Sequence, residues 1–121
     1  MTKIVLIEDH HLVREGIKAL LEKLDGISVA GEAPDGKEGL DLVRKIKPDL
    51  VIMDINLPKV NGINATKIIR ERGKDIFIVA LTAHAFQHER EACMEAGMDD
   101  YLSKPVDTTK LLSMLRVWLY T

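Results

Sequence analysis

One cysteine, Cys93, is present in 121 residues. No disulfide can close within the chain, and no cysteine-based metal cage can form. The count fits a reducing cytosol. Charge of one sign is also missing: 17 basic and 19 acidic side chains leave a formal net charge of -2. Without a basic excess, direct nucleic-acid binding is not expected. No apolar run approaches the ~20 residues that span a bilayer, so no membrane insertion is expected. The opening stretch has only four consecutive apolar residues before Glu8, too short for a signal-peptide core. Low-complexity segments, repeats and linker-like stretches are absent as well.

What is there is ordinary for a folded protein: 46% hydrophobic and 30% charged residues, too apolar for disorder. The length suits one domain, residues 1–121, with a core of its own. Short apolar runs alternate with helical patterns. The runs are 4–7, 27–30, 50–53, 76–81 and the brief Tyr101-Leu102. The first, third and fourth are apolar at every position. Such strands need cover on both faces, the mark of a parallel sheet between helical layers. Helical stripes lie between them: Ile17, Leu20, Leu21 and Leu24, stopping near Asp25-Gly26; then Leu40, Val43 and Ile46, ended by Pro48. Ile63, Ile68 and Ile69 precede Gly73, and a weaker pattern runs from Gln87 to Ala96 before Gly97. Leu111, Leu112, Leu115 and Leu119 form the last, with Asp107 or Thr108 as its N-cap. Five strands alternating with five helices predict an α/β doubly wound (βα)5 domain that uses the whole chain.

Function in such sheets gathers at the carboxyl ends of the strands. The first strand runs into Glu8 and Asp9, the third into Asp54, the fourth into Thr82, and the fifth into Ser103-Lys104-Pro105. Parallel topology brings three carboxylates, a hydroxyl and an ammonium to one edge. Clustered carboxylates repel unless a cation joins them. Mg2+ suits a few carboxylates with room for water and phosphate oxygens. An aspartate beside that ion, with Lys104 and Thr82 to receive an anion, can act as a nucleophile on phosphorus.

These residues, with 51–58 (Val-Ile-Met-Asp-Ile-Asn-Leu-Pro) and 99–105 (Asp-Asp-Tyr-Leu-Ser-Lys-Pro), resemble the receiver domain of two-component response regulators along essentially the whole chain. The resemblance implies a flavodoxin-like fold with strand order 2-1-3-4-5. It implies that Asp54 accepts a phosphoryl group, and that Glu8, Asp9, Asp54 and the Asn56 carbonyl hold Mg2+. By the same resemblance Thr82 and Lys104 contact the phosphoryl group, Tyr101 is an aromatic switch, and the bond before Pro105 is cis. Glu8 stands where aspartate is commoner. Leu57 and Asn61 replace the usual methionine and aspartate.

The implied partners are a histidine kinase or histidine phosphotransfer protein, docking near Leu12, Gly16 and Pro105, and a downstream protein. The face of the fourth helix, fifth strand and fifth helix would shift between two populations and could also form a homodimer. The domain would be cytoplasmic and would assist its own phosphorylation and dephosphorylation without being a turnover enzyme. The opening residues 5–10 look like transcriptional regulators. The stretches 81–85 and 96–101 look like receivers of hybrid kinases, and the reading leans to a stand-alone or hybrid-type receiver.

Blander readings attach to other residues. Asp99 and Asp100 precede the last strand and read as cap or turn residues. Tyr101 could be a half-buried core aromatic. His84 and His88, four apart, have no evident third metal ligand apart from Cys93 or Glu89, and surface histidines are the expectation. His84, two after Thr82, and Asn56, two after Asp54, would border the phosphoryl group. His10 and His11 would flank the acidic pocket at its solvent edge, their protonation weakening Mg2+ binding. Cys93 reads as a small buried apolar residue. Trp118 and Tyr120 either cover the core's edge or face a partner.

Rival chemistries fit less well. A haloacid-dehalogenase-type phosphatase wants a carboxylate two residues after its nucleophile, where this chain has Asn56. A flavodoxin needs a glycine- and hydroxyl-rich phosphate loop after the first strand; Glu8-Asp9-His10-His11 stands there instead. A receiver-like module that signals without phosphorylation is the third rival, and the complete set of site residues argues against it.

Overall fold

A computed structural model describes residues 2–72, 75–83 and 87–119. The strands are β1 (Thr2–Ile7), β2 (Ile27–Ala33), β3 (Leu50–Asp54), β4 (Phe77–Thr82) and β5 (Asp100–Ser103). The helices are α1 (His11–Glu22), α2 (Gly36–Ile46), α3 (Gly62–Arg72), α4 (Gln87–Ala96) and α5 (Thr108–Leu119). All strand pairs are parallel, in the order β2-β1-β3-β4-β5. The flavodoxin-like doubly wound arrangement expected from the sequence is the one observed.

Successive strand residues point to opposite faces, and this sheet is covered on both. Ile4, Leu6, Leu50, Ile52, Val79 and Leu81 meet Ile17 and Leu21 of α1 and Leu111 and Leu115 of α5. Val5, Ile7, Val51, Met53, Ile78 and Ala80 meet Val43 of α2, Ala65 and Ile69 of α3, and Cys93 of α4. Two cores therefore share one sheet, which is why the central runs carry no polar position.

β2 extends three residues past the expected run. It is an edge strand that pairs only with β1, so it tolerates Gly31 and Glu32 in its second half. A register shift between Ile4 and Val5 lets Ala30 stand out of the pairing.

The helix ends follow local chemistry. Asp35 caps α2 by accepting from the Glu38 amide at 2.8 Å, and its carboxyl is held below its usual range mainly by that bond, with help from Lys59. The Asp107 carboxylate accepts from the Thr109 amide at 2.7 Å, which decides between the two N-cap candidates of α5.

At the amino end of the last strand, Asp100 opens β5 and accepts from Trp118 Nε1 at 2.9 Å. The Trp118 ring packs on Phe77 with centroids 5.4 Å apart. Trp118 thus covers the core's edge; Tyr120 and His84 lie outside the described residues. No helix among the described residues is long and apolar enough to cross a membrane.

Candidate functional site

The β1, β3 and β4 ladders place Ile7 beside Met53 and Asp54 beside Leu81, while Thr82 pairs with Ser103 of β5. Glu8, Asp9, Asp54, Thr82 and Lys104 therefore leave the sheet at one end. Two backbone bonds fix the exits: the Ile55 amide donates to Leu81 at 3.1 Å, and the Lys104 amide to Thr82 at 2.8 Å. After Asp54 the chain folds back on itself, with the Gly62 amide donating to the Ile55 carbonyl at 2.8 Å. A side chain at Gly62 would collide with the Asp54 carbonyl, so this loop requires glycine. The Lys104–Pro105 bond is cis.

At the centre, Lys104 Nζ lies 2.8 Å from Asp54 Oδ2 and 2.5 Å from Glu8 Oε1. Both carboxylates are buried. The Asn56 amide donates to Asp54 Oδ1 at 3.0 Å, and the His10 amide to Glu8 Oε2 at 3.2 Å. Burial pushes the Asp54 carboxyl up, but Lys104, Glu8 and the Asn56 amide outweigh it and leave it below its ordinary value. For Glu8 burial wins: together with its neighbours Asp9 and Asp54 it raises the carboxyl despite Lys104. Lys104 is held above its ordinary value because its two carboxylates outweigh its own burial.

One ammonium thus faces three carboxylates. Ligand atoms of Glu8, Asp9, His10 and Asp54 lie within 4.8 Å of one another. Asp9 Oδ1 is buried and accepts no hydrogen bond among the described residues. An acidic set of three carboxylates around one ammonium fits a hard divalent cation.

Thr82 at this end, and Tyr101 two residues back along the β4–β5 ladder, stand outside this cluster. The buried Thr82 hydroxyl donates to Glu89 Oε2 of α4 at 3.1 Å. Tyr101 is half-buried against the α2–α4 side of the core. Its hydroxyl accepts from Arg90 Nη1 at 2.9 Å, and the guanidinium sits 5.2 Å from its ring centre. Beside Lys104, a hollow of about 580 Å³ is lined by Leu12, Val13, Gly16, Leu20, Pro105 and Val106; Leu12 is 84% exposed.

Two contacts were missed from sequence: Glu89 on Thr82 and Arg90 on Tyr101. His10 stands at the solvent edge of the acidic pocket, as expected, with its ring 68% exposed. For Glu89 the available signal was an acidic residue in the first turn of α4. Arg90 gave none. His11 turns away and meets Arg14 Nη2 at 3.3 Å.

The family model for the response regulator receiver domain matches residues 4–116. The chain belongs to that family. The receiver is 36% identical over 115 residues to the transcriptional regulatory protein DegU of Brevibacillus brevis, covering 95% of this chain and 49% of that protein. It is similar to a LuxR-family two-component response regulator of Aurantimonas, with a TM-score of 0.90 and 36% identity, covering 97% of this chain and 84% of the other. It is also similar to the receiver domain of a sensor histidine kinase of Pseudomonas aeruginosa, solved with a magnesium ion in its active site cleft. There the TM-score is 0.87 and the identity 35%, over 99% of this chain and 98% of the other. The receiver spans about half the length of the curated relatives it matches. Receiver domains are signalling domains rather than conventional enzymes, and they generally bind Mg2+.

Proposed function

We propose that this receiver takes a phosphoryl group onto Asp54 from a phosphohistidine of a histidine kinase or histidine phosphotransfer protein. The observation that carries this reading is the Lys104 ammonium 2.8 Å from a buried Asp54 whose carboxyl is held in the charged form. A carboxylate oxygen of Asp54 attacks phosphorus in line. The new O–P bond forms as the P–N bond breaks, and the imidazole leaves with the electron pair. Lys104 pairs with a phosphoryl oxygen and offsets its charge. Glu8, Asp9, Asp54 and the Asn56 carbonyl would hold Mg2+, which when bound screens the incoming phosphoryl oxygens from these carboxylates. The hollow at Leu12, Gly16 and Pro105 offers the donor an apolar seat beside Lys104.

Thr82 leaves Glu89 for the phosphoryl group, and Tyr101 turns inward from Arg90. The α4-β5-α5 face then shifts between two populations, and a downstream protein or a second copy that prefers one of them reads the signal. The domain works in the cytoplasm and does not itself contact nucleic acid. It assists its own hydrolysis, which resets the switch. A second reading, in which the signal controls transcription through a longer chain, is favoured by relatives about twice this length that include a transcriptional regulatory protein.

Intact-mass analysis after incubation with acetyl phosphate tests the reading. The expected result is one added phosphoryl group that requires Mg2+ and is absent in Asp54→Asn. Uptake at the wild-type rate by that variant would falsify the assignment.

A further inference from the structure

We propose that His10 is a metal ligand of this site, giving it a nitrogen donor and a preference for borderline divalent cations such as Ni²⁺ and Zn²⁺ that its carboxylates alone would lack. The inference rests on the cation site described above and adds a residue to it. His10 Nδ1 lies 3.2 Å from Asp9 Oδ1 and 3.5 Å from Glu8 Oε2. Neighbouring corners of an octahedron with bonds of about 2.1 Å are about 3.0 Å apart, so the first spacing is that of two ligands on one ion. The same spacing also suits a proton shared between His10 and Asp9, and the nitrogen coupling below separates that from a common metal ion.

The backbone of His10 is anchored, while its ring is 68% exposed at the solvent edge of the cluster. His10 is the extended N-cap residue of α1, and its side chain makes no capping bond. Its amide is tied to Glu8 Oε2 at 3.2 Å, and its carbonyl accepts the Arg14 amide at 2.9 Å. The imidazole is therefore free of a helix-capping role and sits among the ligand atoms of Glu8, Asp9 and Asp54. Imidazole contributes little to Mg2+, a hard ion that favours oxygen, and much more to late first-row divalent ions.

The test is pulsed electron paramagnetic resonance of the full chain with Mn²⁺, read for coupling to nitrogen, together with Ni²⁺, Zn²⁺ and Mg2+ affinities. His10→Asn is the variant of choice, since asparagine serves well at an N-cap and should preserve the helix. The wild type is expected to show an imidazole coupling that changes on ¹⁵N-histidine labelling and disappears in His10→Asn. Zn²⁺ and Ni²⁺ affinities should fall by about tenfold or more, a loss that even an outer-shell partner can produce, with a much smaller change for Mg2+. Mn²⁺ bound without nitrogen coupling would overturn the role of His10 and leave the carboxylate site standing. If neither Mn²⁺ nor Mg2+ binds, the cation site itself is wrong.

Discussion

Two ion-pair clusters sit at opposite ends of the same sheet. At the amino ends of β4 and β5, Arg70 of α3 donates to Asp99 at 2.8 Å, to the Gly97 carbonyl at 2.9 Å and to the Ile76 carbonyl at 2.6 Å. Asp99 also accepts the Ile78 amide at 2.9 Å. One positive charge meets one negative charge. At the carboxyl ends, Lys104 pairs with Glu8 and Asp54, and Asp9 meets only the exposed His10 ring among the described residues. The first cluster is complete and joins α3, β4 and β5. The second, with three carboxylates around one ammonium, is short of positive charge among the described residues. Ion pairing looks alike at both ends, although Glu8 and Asp54 of the second cluster are more deeply buried than Asp99; the charge balance separates structure from function.

The largest effect that could break this contrast is at Arg70. Replacing it by Met takes the counter-charge from Asp99 and one donor from each of two carbonyls. A loss of about 2–4 kcal/mol is expected in urea unfolding, with phosphoryl uptake kept in the folded fraction. Glu89→Ala comes next. It removes an α4 acceptor of the Thr82 hydroxyl, so phosphorylation by acetyl phosphate should quicken on the order of severalfold, the worth of a typical net hydrogen bond of ~1 kcal/mol. A slower rate would mean that Glu89 helps the reaction.

Asp35→Ala removes the α2 cap and should cost about 1 kcal/mol, whereas Asp35→Asn keeps the cap and costs a few tenths. The charge contributes separately. The folded carboxyl lies below its usual 3.8, so its stabilisation is present above that pH and is lost as pH falls through the lower folded value. Denaturation curves of wild type and Asp35→Asn should converge in strong acid.

The smallest effect has the opposite sign. Glu8 is raised above 4.5, so at neutral pH its ionisation favours the unfolded chain. Glu8→Gln should raise the melting temperature in metal-free buffer at pH 7 and lose that advantage as pH falls below 4.5. A loss of stability at pH 7 would place Glu8 with Asp99, as a structural partner.

The contrast also explains what could be read ahead of the structure. The fully apolar runs at 4–7, 50–53 and 76–81 fix a covered parallel sheet, and parallel strands carry the residues that follow them to one edge. Glu8, Asp9, Asp54, Thr82 and Lys104 were legible for that reason. The Arg70 network was not, because it joins residues 29 apart through one long side chain whose direction no periodicity encodes. Asp99 accordingly read as a turn residue. Glu89 and Arg90 escaped for the same reason: their partners lie on β4 and β5.

The central claim is that the carboxyl-end cluster is kept short of positive charge for a cation and a phosphoryl group. Thermal unfolding with and without Mg2+ and beryllofluoride, a phosphoryl mimic, tests it most directly. The wild type should rise in melting temperature with Mg2+ and further with both, because each binds the folded state only. Asp54→Asn should lose most of both increments, while Arg70→Met, though less stable, should keep them. Equal increments in wild type and Asp54→Asn, or none in either, would contradict the account.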